Sequence, residues 1–220
     1  MIDSEVPPTI SALEKVPRKK EYLIRLSDGD QITVMDEHLS KFSLAAGVEI
    51  GPELRGELER AYERAKARLA ALRLLRVRPR TEGELRRALI LRAFSGQAVA
   101  GVLRDLAAQG MVDDRLFARL WVVERAGKGI GRRRILSELK TKHVDEATAL
   151  EEIEANYGSD DEIENARRVA ANRARRMASL GRQKLEQRVY GYLVRQGFSS
   201  DIAREATRHA LGSQGQKGDQ

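Results

Sequence analysis

A chain of 220 residues, 41% hydrophobic and 33% charged, has the material for a folded core and a well-solvated surface. It contains no cysteine, which excludes disulfides, thiolate chemistry and cysteine-held zinc or iron–sulfur centres. Its 40 Lys and Arg against 33 Asp and Glu leave a net charge of +7, which fits either an acidic or polyanionic partner or an ordinary solvated surface. The first twenty residues lack the apolar core of a secretory leader, and no apolar run approaches the roughly 18 residues of a membrane span. A soluble, cytoplasmic protein without membrane contact is expected.

Residues 1–20 carry three prolines and no periodicity, so they read as a flexible arm. Tyr22–Leu26 and Gln31–Met35 are short β-prone runs either side of Asp28-Gly29, which predicts a hairpin closed by a type I′ turn. A lone hairpin is marginal in water, so its apolar face must pack on a helix. Residues 38–46 predict a short helix closed by Gly47, completing a region that spans 21–60. Pro52 suits the first turn of a long helix running to about Val77, where Pro79 ends it. Tyr62, Ala65, Leu69 and Leu72 recur at steps of three and four and predict its buried face.

Beyond this point an internal repeat organises the chain. Leu89 and Phe94, Leu139 and Val144, and Leu193 and Phe198 are leucine–apolar pairs five residues apart. Each pair is followed at once by a helix-capping residue: Ser95, Asp145 and Ser199. The capped helices are expected to close near Gly110, Gly158 and Gly212. The fold predicted is mainly α: an elongated array of three tandem three-helix repeats, 61–112, 113–158 and 159–212, preceded by the small β-hairpin region and ending in a disordered tail, 213–220.

The positive charge belongs to the repeats. Residues 1–60 are net −4, residues 61–158 net +7 and residues 159–220 net +4. Lys and Arg concentrate at 64–92, 125–142 and 167–188, each spanning the first-to-second helix junction of its repeat. Regular stacking would merge them into one basic ridge able to hold a phosphate backbone without reading sequence.

Sites for chemistry are sparse. His38, His143 and His209 are far apart without ligand spacing and read as surface or helix-end residues. Gly127-Lys128-Gly129-Ile130-Gly131 follows a helix rather than a strand, so it reads as a helix–helix turn. The amides at the start of the next helix could still meet a phosphate. Asp113-Asp114 reads as a helix cap, and Phe117 with Trp121 as core rather than a base-stacking platform. No enzyme, metal or cofactor is expected.

Four segments carry a resemblance. Arg78-Pro79-Arg80-Thr81 with Glu84-Leu85, Asp113-Asp114 with Phe117-Ala118, Gly129 and Gly131 with Arg134-Ile135 and Glu138-Leu139, and Arg195-Gln196-Gly197-Phe198 stand in the order and spacing of the RecX family signatures. The chain resembles that family over about residues 60–212, with one departure: His143 stands where the family usually has glycine. The resemblance implies three three-helix units and binding in the groove of the RecA–single-stranded DNA filament. It also implies inhibition of strand exchange, ATPase and co-protease activity in recombination, DNA repair and the SOS response, with some members capping filament ends. Charge position then selects Arg78, Arg80, Lys128, Arg132, Arg133, Arg134, Arg182 and Lys184 as the contact set of a monomer that touches single-stranded DNA weakly and without sequence preference. Two other readings are a sequence-specific helix-turn-helix regulator, which needs base-reading side chains and a dimer device, and a protein-interaction scaffold without DNA contact.

Overall fold

The structure is a computed structural model that describes residues 6–215. Three strands and ten helices follow one another in that span. The chain forms two compact units: one runs to Arg78 and includes Leu85–Met111, and the other comprises Pro79–Glu84 and everything from Val112. No described helix is long and apolar enough to cross a membrane.

The first unit opens with an antiparallel sheet in the order β1 (Ile10–Lys15), β2 (Glu21–Leu26), β3 (Gln31–Met35). The hairpin expected from the sequence is β2–β3, but its turn is not type I′. Gly29 donates to the Leu26 carbonyl at 3.1 Å and takes φ +95, whereas Asp28 keeps an ordinary φ and accepts the Asp30 amide on its side chain at 2.9 Å. The segment read as an arm is corrected too, because residues 10–15 form the third strand. The register of β1 on β2 shifts between Ile10 and Ala12. Such a bulge breaks the alternation by which a strand announces itself in sequence.

Ile10, Ile24, Ile32, Val34 and Leu44 pack with Leu58 of α2 (Pro52–Val77), giving the sheet its helical cover. The short helix is α1 (Asp36–Lys41), earlier than residues 38–46. His38 on it is buried rather than at the surface, with Nδ1 accepting the Met35 amide at 3.4 Å. Along α2 the fully buried residues are Leu58, Ala67 and Ala71, while Leu69 is 45% exposed. The expected face of Tyr62, Ala65, Leu69 and Leu72 is therefore not the fully buried one: Leu69 is exposed and the other three are half-buried. Helix α4 (Gly96–Ala108) packs against α2, whose buried positions opposite the repeat core are alanines.

The second unit holds two three-helix repeats. The core of one joins Ala118 and Val122 of α5 (Asp114–Gly127), Ile135 and Leu139 of α6 (Arg132–Thr141), and Ala149 and Ile153 of α7 (Glu146–Asn156) around Val144. Its successor joins Ala166 and Ala170 of α8 (Ser159–Arg175), Val189 and Leu193 of α9 (Arg182–Gln196), and Ala203, Ala206 and Ala210 of α10 (Ser200–Gly215) around Phe198. The caps recur as expected: Ser95, Asp145 and Ser199 accept the amides of Ala98, Thr148 and Ile202 at 3.2, 3.2 and 3.3 Å. The closing glycines hold only in part. Gly110 takes φ +66, but Gly158 is the N-cap of α8 and Gly212 lies inside α10. The helix thus continues through residues 213–215 of the expected tail, and 216–220 lie outside the described residues.

The two repeats of this unit are joined at the start of α6. Gly131 donates to the Gln196 carbonyl at 2.9 Å, Arg133 to Gly197 at 3.2 Å, and the Arg132 amide to the Glu162 carboxylate at 2.9 Å. A similar seat in the α5–α7 repeat holds the start of α3 (Glu82–Ile90). There Thr81 Oγ1 donates to the Lys142 carbonyl at 2.5 Å, the Glu82 amide donates to Asp114 at 2.8 Å, and Gly83 lies against His143. The turn residue of each seat is left-handed, with φ +60 at His143 and +93 at Gly197. Histidine is strained there and glycine is not. His143→Gly is expected to raise stability by about 1 kcal/mol in urea denaturation; an unchanged or lowered midpoint would show that the His143 contacts outweigh the strain.

Candidate polyanion-binding surface

The cations clustered in sequence prove to be partnered very unequally. Of the seven at 125–142, six meet carboxylates: Arg125 and Arg134 meet Glu138 at 2.7 and 3.1 Å, Lys140 meets Glu146 at 2.7 Å, and Lys142 meets Glu84 at 3.4 Å. Lys128 pairs with Glu124 one turn before it, and Arg132 with Glu154 while also donating to Ser159 Oγ at 3.1 Å. Arg134 also donates to Gln196 Oε1 at 3.4 Å. Arg133 alone of the seven is exposed without a side-chain partner among the described residues. Arg78, at the end of α2, and half-buried Arg80 both engage neighbouring groups.

Arg182 and Lys184 stand differently. Both are exposed on the first turn of α9 and ion-pair with nothing among the described residues. Two residues missed by the sequence reading extend them. Arg188 and Arg195 are exposed and equally unpartnered, and steps of four and seven from Lys184 put all three on one helix face. The signal was visible as helical spacing, but counting charge by segment concealed it. At 15 residues α9 is roughly 22 Å long. Its far end meets Arg133, whose amide is bonded to Gly197. The expected set therefore does not converge on one spot: within the second unit, Arg182 and Lys184 mark one end of α9 and Arg133 the other.

The glycine turn offers a phosphate nothing. Every amide from 128 to 133 is already engaged: Lys128 with Glu124, Gly129 with Ala126, Ile130 with Arg125, and the next three in the seat described above. The suggested role of free amides at the start of α6 is thereby overturned. Asp113 caps α5 through the Leu116 amide at 2.8 Å, and Asp114 holds the Glu82 amide, so both carboxylates are structural. Burial pushes the Asp114 carboxyl above the ordinary aspartate range. Phe117 and Trp121 stack on each other at 5.8 Å, and Trp121 is flanked by Arg125 at 4.2 Å and Lys142 at 4.5 Å. Those rings are committed to the repeat, against whose core both pack.

What this surface can do is bind extended negative charge. Exposed, unpaired cations along a rigid helix can exchange counterions for phosphates with no ion pair to break first. The paired cations can join at small cost, since surface pairs contribute only about 0–1 kcal/mol.

Comparison with known proteins places these elements in a family. Residues 67–106, 113–151 and 160–207 match the first, second and third three-helix domains of RecX. The chain is 36% identical over 152 residues to the regulatory protein RecX of Streptomyces coelicolor, covering 69% of this chain and 80% of that one. Identity is 33% to its counterpart from Thermobifida fusca, covering 69% and 82%. A crystal structure of regulatory protein RecX superposes with a TM-score of 0.72 at 26% identity, over 91% of this chain and 98% of that one. RecX from Lactobacillus salivarius shares the fold at a TM-score of 0.61 and 20% identity, over 67% and 96%. Three domain matches in chain order, with relatives above 30% identity over most of their length, establish that the chain belongs to the RecX family of regulatory proteins.

Proposed function

We propose that this chain binds the RecA–single-stranded DNA filament and inhibits the recombinase, lowering strand exchange, ATP hydrolysis and co-protease activity in recombination, DNA repair and the SOS response. The observation that carries this reading is the α9 face of Lys184, Arg188 and Arg195, with Arg182 at its start and Arg133 beyond its end. A sequence-indifferent grip on phosphates suits a regulator that must act wherever the filament forms. Lys128, Arg132 and Arg134 join as cations whose carboxylate partners give way to phosphate, and Arg78 and Arg80 join by leaving the neighbouring groups they engage. The protein works as a cytoplasmic, non-catalytic monomer, its many weak contacts summing along the polymer.

The test is DNA-dependent ATP hydrolysis by the cognate recombinase, with this protein titrated in. Wild type is expected to suppress hydrolysis, and Lys184→Glu/Arg188→Glu/Arg195→Glu to lose most of that effect while keeping its helical signal. On bare single-stranded DNA the same variant is expected to flatten the salt dependence of binding by about 2 log units per log salt, the share of three phosphate contacts. No suppression by stoichiometric wild type would sink the proposal. Full suppression by the triple variant would remove α9 from the interface.

A further inference from the structure

Two internal seats in this fold define what a third should accept. Each takes the start of an α-helix: the first amide donates to a carboxylate on the receiving repeat's first helix, Asp114 or Glu162. The cap residue donates to a carbonyl two positions before the core anchor, Lys142 or Gln196. Aligning buried Ala67 and Ala71 with Ala118 and Val122, and with Ala166 and Ala170, gives the counterparts in the first unit. The carboxylate is Glu63, the carbonyl belongs to Arg92, and the left-handed turn residue is Ala93 at φ +63. No helix start from another repeat fills this place among the described residues. Glu63 instead accepts the Ser95 amide and hydroxyl at 2.6 and 2.7 Å, and Arg92 and Ala93 are exposed. A cleft of about 420 Å³ opens beside them, with Glu57, Arg60, Gln97 and Lys41 among its walls.

The chain also contains a helix start that matches the seated one and has no seat. Gly131-Arg132-Arg133-Arg134 enters the Glu162 seat, and Gly131 must be glycine because a side chain there would meet the Gly197 backbone at 2.4 Å. Gly181-Arg182-Gln183-Lys184 opens α9 with the same glycine cap and basic first turn, yet nothing lies within 4 Å of a side chain built at Gly181. The other glycine-capped starts do not fit. After Gly51 comes Pro52, which has no amide to donate, and the first turn after Gly158 holds Asp160, Asp161 and Glu162, which a carboxylate seat repels.

We infer that the Glu63 cleft receives the start of α9 from a second copy of this chain, joining copies head to tail. Such a contact is heterologous and open-ended, so it makes rows rather than closed dimers. One small cleft is too little for a stable complex in dilute solution. Copies held side by side on one polymer gain the effective concentration that makes it matter. The role of the contact on a polymer rests on the filament reading, whereas the contact itself does not, and its test uses neither DNA nor recombinase.

Because the chain has no cysteine, introduced thiols report the contact alone. Gln97 and Gln183 are both exposed, one in the cleft wall and one on the first turn of α9. Under mild oxidation of concentrated full-length protein, a mixture of Gln97→Cys and Gln183→Cys is expected to cross-link about tenfold faster than either variant alone. The double variant should give a ladder of dimers, trimers and longer rows, and adding Gly181→Val to it should abolish the ladder. Equal rates for mixed and single samples, preferred self-pairing of either variant, or a ladder that survives Gly181→Val would each overturn the inference.

Discussion

Gly131→Ala is expected to destabilise the second unit by about 3 kcal/mol, among the larger costs of a single substitution. A β-carbon at 131 would stand 2.4 Å from the Gly197 carbon and the Phe198 nitrogen, and 2.5 Å from the Gly197 oxygen. All three are backbone atoms, so no side-chain rotation relieves the overlap. Gly197 cannot yield either, because its own α-carbon faces the Arg134 backbone and β-carbon. Helix α6 must back away, stretching the bonds from Gly131 to Gln196, from Arg133 to Gly197 and from Arg132 to Glu162. The loss should show in urea denaturation followed by the single tryptophan, Trp121, which packs against the core of the repeat carrying α6. Gly181→Ala is the control: it adds the same methyl to a glycine cap in open space and should change stability by no more than about 0.5 kcal/mol. Equal effects at the two glycines would mean that helix-start preference, rather than contact between backbones, sets the cost.

That pair of glycines also marks where sequence reading stops. The repeat was legible because its signals are local: a leucine, an apolar anchor five residues on, and a cap next to it, at Phe94-Ser95, Val144-Asp145 and Phe198-Ser199. Gly131 stood in an equally local pattern of glycines, but its physical reason lies at Gly197 in another repeat, and no local window contains both. The face of α2 misled for a related cause. Beyond Leu58 its fully buried positions are Ala67 and Ala71, and alanines carry little weight beside Tyr62, Leu69 and Leu72. Strand β1 was hidden by its bulge. At the surface, charge density was legible but charge partnership was not. Lys142 meets Glu84 far back in the chain, and Arg132 meets Glu154 near the end of the next helix, 22 residues on, so a sequence window counts them as free. Arg188 and Arg195 reverse the case, since their helical spacing from Lys184 was on view all along.

Glu162→Ala is expected to cost about 2 kcal/mol at neutral pH, and Glu162→Gln to cost nothing or to stabilise. The carboxylate is buried and accepts the Arg132 amide, which no other group of α6 can satisfy. Alanine leaves that amide facing a void, whereas glutamine keeps a neutral oxygen for it. The pH dependence separates the hydrogen bond from the charge. Burial pushes the Glu162 carboxyl above the ordinary glutamate value, opposed by the Arg132 amide and by the charges of Arg132 and Arg133. Between the ordinary value and the raised one, the folded protein holds more proton at this site than the unfolded chain does. Stability contributed here is therefore full below the ordinary value and falls as pH rises through the raised one. In Glu162→Gln that decline should disappear, so its advantage over wild type should grow from mildly acidic pH toward neutrality. The measurement is the urea midpoint of wild type and both variants across that range. If glutamine proved as damaging as alanine, the buried charge itself, held by Arg132 and Arg133, would be what secures α6 in its seat.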